Sequence, residues 1–91
     1  MINVIFRFKK GDFIHHDFDF YDEIETLPTI GQTMTLNSVF LNSYPEKSRK
    51  EASRCGLKFG DYLVTNLFEN SDGYTIELSS IERSVYEPLV Y

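Results

Sequence analysis

His15, Asp17 and Asp19 alternate along the stretch 13–25, FIHHDFDFYDEIE, and place three potential metal ligands on one strand face. These are donor types that a metal-dependent hydrolase would use. Period-two spacing sets neighbouring donors about 6.5–7 Å apart, wide for one compact shell, so a site here would need completion from another strand. The run DFDFYD lacks the glycine and closing glutamate of an EF-hand loop, which argues against calcium by that route. The plainer expectation is a solvated acidic strand face with no metal and no cofactor. His16 shares its alternation with Ile14, Phe18 and Phe20, which assigns it to the apolar side as a hydrogen-bonded, semi-core residue.

A nucleophile is harder to find. The only cysteine, Cys55, stands just before Gly56 at the end of a candidate helix, where the helix dipole raises a thiol pKa. Gly56 and Gly60 bracket Leu57-Lys58-Phe59 as turn glycines and do not make a phosphate-cradling loop. No residue is assigned a catalytic role, and the chain is not expected to be an enzyme.

Two binding constellations remain. Lys47, Arg49, Lys50, Arg54 and Lys58 form a basic segment that could meet a small anionic molecule or a nucleotide, with Tyr44 and Phe59 available to stack on a base. Glu46 and Glu51 interrupt it. The second constellation is aromatic. Tyr21, Tyr44, Tyr62, Phe68, Tyr86 and Tyr91 exceed what one small core needs, and surface tyrosines serve as rigid interface anchors at low entropy cost. Asp17 and Asp19 complete this candidate partner-binding set by steering a basic partner. The competing expectation is that a helix and the C-terminal tail cover these rings.

Composition narrows the classes. The chain has 91 residues, which suits one domain spanning 1–91 that buries roughly 60–65% of its unfolded surface. The net charge is −5, from 14 acidic and 9 basic residues, so a general nucleic-acid binder is disfavoured and a partner with a basic surface fits. Acid gathers at Asp12, Asp17, Asp19, Asp22, Glu23 and Glu25, and base gathers in the middle of the chain. A lone cysteine precludes an internal disulfide. With no long apolar run or leader-like segment, a soluble cytoplasmic protein without membrane contact is the default.

The elements that must position these residues follow from periodicity. Ile2, Val4, Phe6 and Phe8 mark one face of a first strand, and Lys10-Gly11-Asp12 a turn. A three-residue loop pairing Phe8 with Ile14 and Phe6 with His16 would bury both apolar sets together and set Arg7 opposite His15. Leu27-Pro28-Thr29-Ile30-Gly31 leads into a third strand with Met34, Leu36 and Phe40 inward. This step resembles one in short phage and bacterial proteins and covers too few residues to imply a function. Ser43, Pro45 and Gly56 punctuate a short helix or mobile loop near 45–55. A second hairpin turns on Asn70-Ser71-Asp72-Gly73, with Glu69 opposite Tyr74, Leu67 opposite Ile76, Thr65 opposite Leu78, and a positive φ at the glycine. The apolar tail 85–91 should dock on something.

The expected fold is mainly β, a small antiparallel barrel or bent sheet of about five strands, with at most one short helix near 45–55; an SH3-like barrel fits this order. The expected function is a non-catalytic protein-interaction domain, such as an inhibitor or accessory factor. A phage- or bacterium-encoded antagonist of a host or defence enzyme is one such role. An unpaired strand edge would also allow a homodimer. The alternatives are a small-molecule or nucleotide binder using residues 47–58 and a metal-dependent hydrolase built on His15, Asp17 and Asp19.

Overall fold

The strict alternation of β1 (Ile2–Phe8) decides where the core lies. Val4, Phe6 and Phe8 are buried, while Asn3, Ile5 and Arg7 point to the other side. The computed structural model describes residues 1–90 and builds outward from this strand. Its further elements are β2 (Phe18–Ile24), β3 (Thr33–Leu36), α1 (Ser38–Asn42), α2 (Glu46–Cys55), β4 (Lys58–Glu69), β5 (Tyr74–Ser80) and β6 (Glu87–Pro88). Five strands form a curled, half-barrel sheet in the order β2-β1-β5-β4-β3, and β6 pairs with the start of β4. The fold is the mainly β, bent small sheet that the sequence implies, with two differences of detail. One junction is parallel, because β5 inserts beside β1 and pairs Val4 with Tyr74 through Phe8 with Leu78. There are also two short helices instead of one.

Both helices lie over the same face of the sheet. Phe40 of α1 packs edge-on against Phe6 and Phe20, with ring centroids 5.5 and 5.8 Å apart. Tyr44 then lies over Phe20 at 4.5 Å. Phe40 thus reaches the core from a helix and not from an extension of β3. Asn37 caps that helix by accepting a hydrogen bond from the Phe40 N–H at 3.0 Å. Helix α2 follows Pro45 and stops at Gly56, whose φ of 93° is left-handed and whose missing Cβ leaves room for the Phe13 carbonyl. Its buried residues are Ala52 and Cys55.

The first hairpin keeps the expected parity but not the expected register. Phe8 pairs with Phe18, Phe6 with Phe20, and Arg7 with Asp19 in place of His15. Residues 13–17 are a loop, not a strand, because their backbone bonds to other partners. The His15 N–H donates to the Cys55 carbonyl at 2.8 Å, and the Cys55 thiol donates to the His16 carbonyl at 3.0 Å. Ile14 enters the core from this loop, whereas His16 is exposed and not semi-core.

The second hairpin matches at Glu69–Tyr74 and Leu67–Ile76, then a bulge at Thr65 sets Val64, not Thr65, opposite Leu78. Gly73 does not take the positive φ expected of it. It is needed for a different reason: a Cβ there would overlap the Asn3 carbonyl, so only glycine lets the turn close onto β1. The tail docks as expected. Tyr86 stacks 5.3 Å from Tyr62 and 4.8 Å from Phe13, and its hydroxyl donates to the Asp61 carbonyl while accepting from the Ile81 N–H at 2.7 Å. Leu89 is buried beside it, but Val85 and Val90 remain exposed.

Tyr86→Ala removes this ring and both hydroxyl bonds, so thermal or urea unfolding should register a loss of about 2–4 kcal/mol. Wild-type stability would show that the tail contributes nothing to the core.

Candidate binding face

The side of the sheet opposite the helices is a regular grid of side chains. Paired residues on neighbouring strands share a face, so the registers can be read across four strands. One row runs Asp19, Arg7, Glu77, Asn66 and the next runs Tyr21, Ile5, Thr75, Phe68. The first row is polar and closed on itself. Arg7 grips Asp19 in a two-pronged contact, Nε to Oδ1 at 2.9 Å and Nη2 to Oδ2 at 3.0 Å. The Asn66 amide reaches Glu77 at 3.4 Å. Lys9, at the end of β1, bridges Asp17 at 2.8 Å and Glu77 at 3.5 Å. The Lys10 backbone N–H also donates to Asp17 at 2.8 Å. These contacts hold the Asp17 carboxyl below the ordinary carboxylate range, the Lys10 N–H first and the Lys9 ammonium second.

The second row is open at its two ends. Tyr21 is 71% and Phe68 39% exposed, with half-buried Ile5 and fully buried Thr75 between them. Leu63, 36% exposed, lies on the same side of β4. At the end of this row the sheet and the β4–β5 turn enclose a groove of about 570 Å³. Asn3 and Ile5 of β1, Tyr21 and Glu23 of β2, and Asn70 and Asp72 of the turn line it. The turn holds its shape through the Asn70 amide on Thr75 at 3.0 Å and the Asp72 N–H on Asn70 at 2.9 Å.

The structure divides the aromatic set. Tyr21 and Phe68 are on the open face, together with Asp17 and Asp19. Tyr62 is fully buried and donates to the Lys58 carbonyl at 2.6 Å; burial pushes its hydroxyl pKa well up. Tyr44 is buried under α1 and donates to Asp22 at 2.6 Å, and burial first and the Asp22 bond second push its pKa up too. Tyr86 belongs to the tail packing, and Tyr91 lies outside the described residues. Covering elements thus account for three of the six rings. Ile5 and Thr75 complete the row and are absent from the sequence-based set, because only the parallel β1–β5 pairing brings Thr75 beside Ile5.

The other constellations are dispersed. Asp17 is held by Lys9 and Lys10, Asp19 by Arg7, and His15 sits in the loop before β2. Among the described residues no three His, Cys, Asp or Glu side chains are grouped to hold a metal ion. Lys47, Lys50 and Arg54 line a shallow depression of about 330 Å³ on α2, shared with Glu46 and Glu51, and Lys50 pairs with Glu46 at 3.2 Å. Arg49 instead reaches Asn42 at 3.3 Å, and the Lys58 ammonium lies 5.1 Å from the Phe13 ring centre. Cys55 Sγ lies 3.6 Å from His16 Nδ1, but the thiol is buried and its proton is directed to a carbonyl.

No protein-family model, curated protein or solved structure matches the chain. Among the described residues no helix is long and apolar enough to cross a membrane.

The depressed Asp17 pKa fixes the sign of a pH effect. A carboxyl whose folded pKa lies below its unfolded value adds stability that is fully present above the unfolded pKa and is lost as pH falls through the folded pKa. Asp17→Asn should therefore lower the melting temperature at pH 7 and match wild type once the carboxyl is protonated in both states. Parallel melting curves at every pH would show that these contacts add no stability. Tyr44→Phe leaves Asp22 without its hydroxyl donor and should cost about 1–2 kcal/mol at neutral pH, measured by chemical unfolding.

Proposed function

We propose that this protein is a non-catalytic protein-interaction domain whose open sheet face engages a partner with a basic surface. The observation that carries this reading is the row Tyr21, Ile5, Thr75, Phe68 across four strands, on the side away from the helices, with exposed rings at Tyr21 and Phe68, a half-buried Ile5 and a buried Thr75 between them. An isolated exposed apolar residue is ordinary, but a strip with an exposed aromatic ring at either end has the composition of an interface centre. Charge supports the nature of the partner. Lys9 and Arg7 are already neutralised within the face, and the net charge of −5 attracts a basic surface and opposes stacking of two copies. Inhibition or accessory binding of another protein, including antagonism of a host or defence enzyme by a phage- or bacterium-encoded factor, are the roles such a face serves.

The alternatives draw less support. A small anionic molecule or nucleotide on α2 would sit beside Glu46 and Glu51. A hydrolase centre would need Asp17 and Asp19 released from Lys9 and Arg7.

Affinity capture from the cytosol of the producing cell, with light scattering on the purified protein, tests the proposal. The expected result is a monomer that retains a partner, with binding reduced roughly 30-fold or more by Tyr21→Asp plus Phe68→Asp, the scale of a hot-spot loss. Phe68 is partly buried beside Thr75, so the melting curve of the double variant is compared with wild type to separate loss of the face from loss of the fold. Binding that survives these changes but is lost on reversing Lys47 and Lys50 would move the site to α2 and overturn the proposal.

A further inference from the structure

The groove at the end of the open row has an occupant written into its walls. Tyr21 presents an exposed ring on one side. Glu23 of β2 and Asp72 of the β4–β5 turn line the same groove. No hydrogen bond or ion pair among the described residues engages either carboxylate group. Asp22 also borders the groove, but its carboxylate is occupied by the Tyr44 hydroxyl and the Glu23 N–H. No lysine or arginine lines the groove, and the nearest cation along β1, Arg7, is held by Asp19. A flat ring and two unengaged carboxylates in one groove match a flat cation that can stack and form forked hydrogen bonds at once. A guanidinium has both properties, whereas an ammonium is a compact, strongly hydrated charge that uses the ring less well.

Resting on the reading of the open face as a protein-binding surface, we propose that this groove receives an arginine side chain of the partner. The guanidinium stacks on Tyr21 between Glu23 and Asp72, while Ile5 at the groove floor meets the methylene stem. The apolar row then carries the remaining contact, and the arginine fixes the orientation in which the partner docks. The turn is closed onto β1 by Gly73, so the two walls are set before the guest arrives.

The test is a titration of the whole isotope-labelled protein with N-acetyl-arginine amide at low ionic strength, followed by amide chemical shifts. N-acetyl-citrulline amide and N-acetyl-lysine amide serve as the uncharged and the ammonium comparisons. The expected result is saturable shifts at Asn3, Ile5, Tyr21, Asn70 and Asp72, with a dissociation constant on the order of millimolar. Tyr21→Ala, and separately Glu23→Gln with Asp72→Asn, should each weaken the arginine response at least about 5-fold. Citrulline or lysine shifting the same amides as strongly as arginine, or no saturable arginine response, overturns the inference. The outcome is separable from that of the face itself. Partner capture lost with Tyr21→Asp plus Phe68→Asp, but no arginine response, would leave the face standing and remove the groove's guest. An arginine response in a protein whose partner capture ignores those changes would do the reverse.

Discussion

Everything on both sides of this molecule depends on β1 being hydrogen-bonded along both of its edges. Antiparallel pairing to β2 and parallel pairing to β5 lock one parity across three strands, so that a shift by one residue on any of them would exchange the core for the surface. Val4, Phe6 and Phe8 go to the helices, and Ile5 and Arg7 go to the open grid. The aromatic core and the apolar strip are two faces of a single register. A side chain too large or too polar at Phe6 would therefore disturb the open face through the backbone without touching it.

Alternation made much of this legible. It placed Ile5, Arg7, Asp17 and Asp19 on the outer side and the four apolar residues of β1 inside, and punctuation by Pro45 and Gly56 located α2 closely. It could not supply register, because parity is preserved by any even shift. Phe8–Ile14 and Phe8–Phe18 satisfy the same alternation, and only the bonds from residues 15 and 16 to the end of α2 select the second. Nor does a local pattern reveal a parallel partner far along the chain. Cover by a helix and the tail is one of the two readings the sequence offers for Tyr44 and Tyr62, but the helix over Tyr44 is not the one expected near 45–55. Residues 38–42 alternate poorly, and the Asn37-Ser38 capping signal that announces α1 is short. That helix brings Phe40 against Tyr44, whereas Tyr62 is covered by Phe8 and by Tyr86 of the tail.

The open face combines two kinds of order. Its polar row is saturated: each charge has a partner at contact distance, and such exposed pairs add little to stability. Their larger effect is positional, since Arg7 and Asp19 in a two-pronged contact keep β1 and β2 in step beside the apolar row. The groove differs in kind, because its carboxylates are left without cations. Paired charges occupy one row and exposed rings with unpaired carboxylates the next, on the same strands.

The parallel junction also bears on how the molecule comes into being. Because Val4 must meet Tyr74 and Phe8 must meet Leu78, β1 keeps a bare edge until nearly all of the described chain has emerged from the ribosome. The β1–β2 hairpin made early has apolar Phe6, Phe8 and Phe20 on one side and an unsatisfied backbone ladder on the other. During synthesis this is the segment most in need of protection, and the insertion of β5 is the event that ends its exposure.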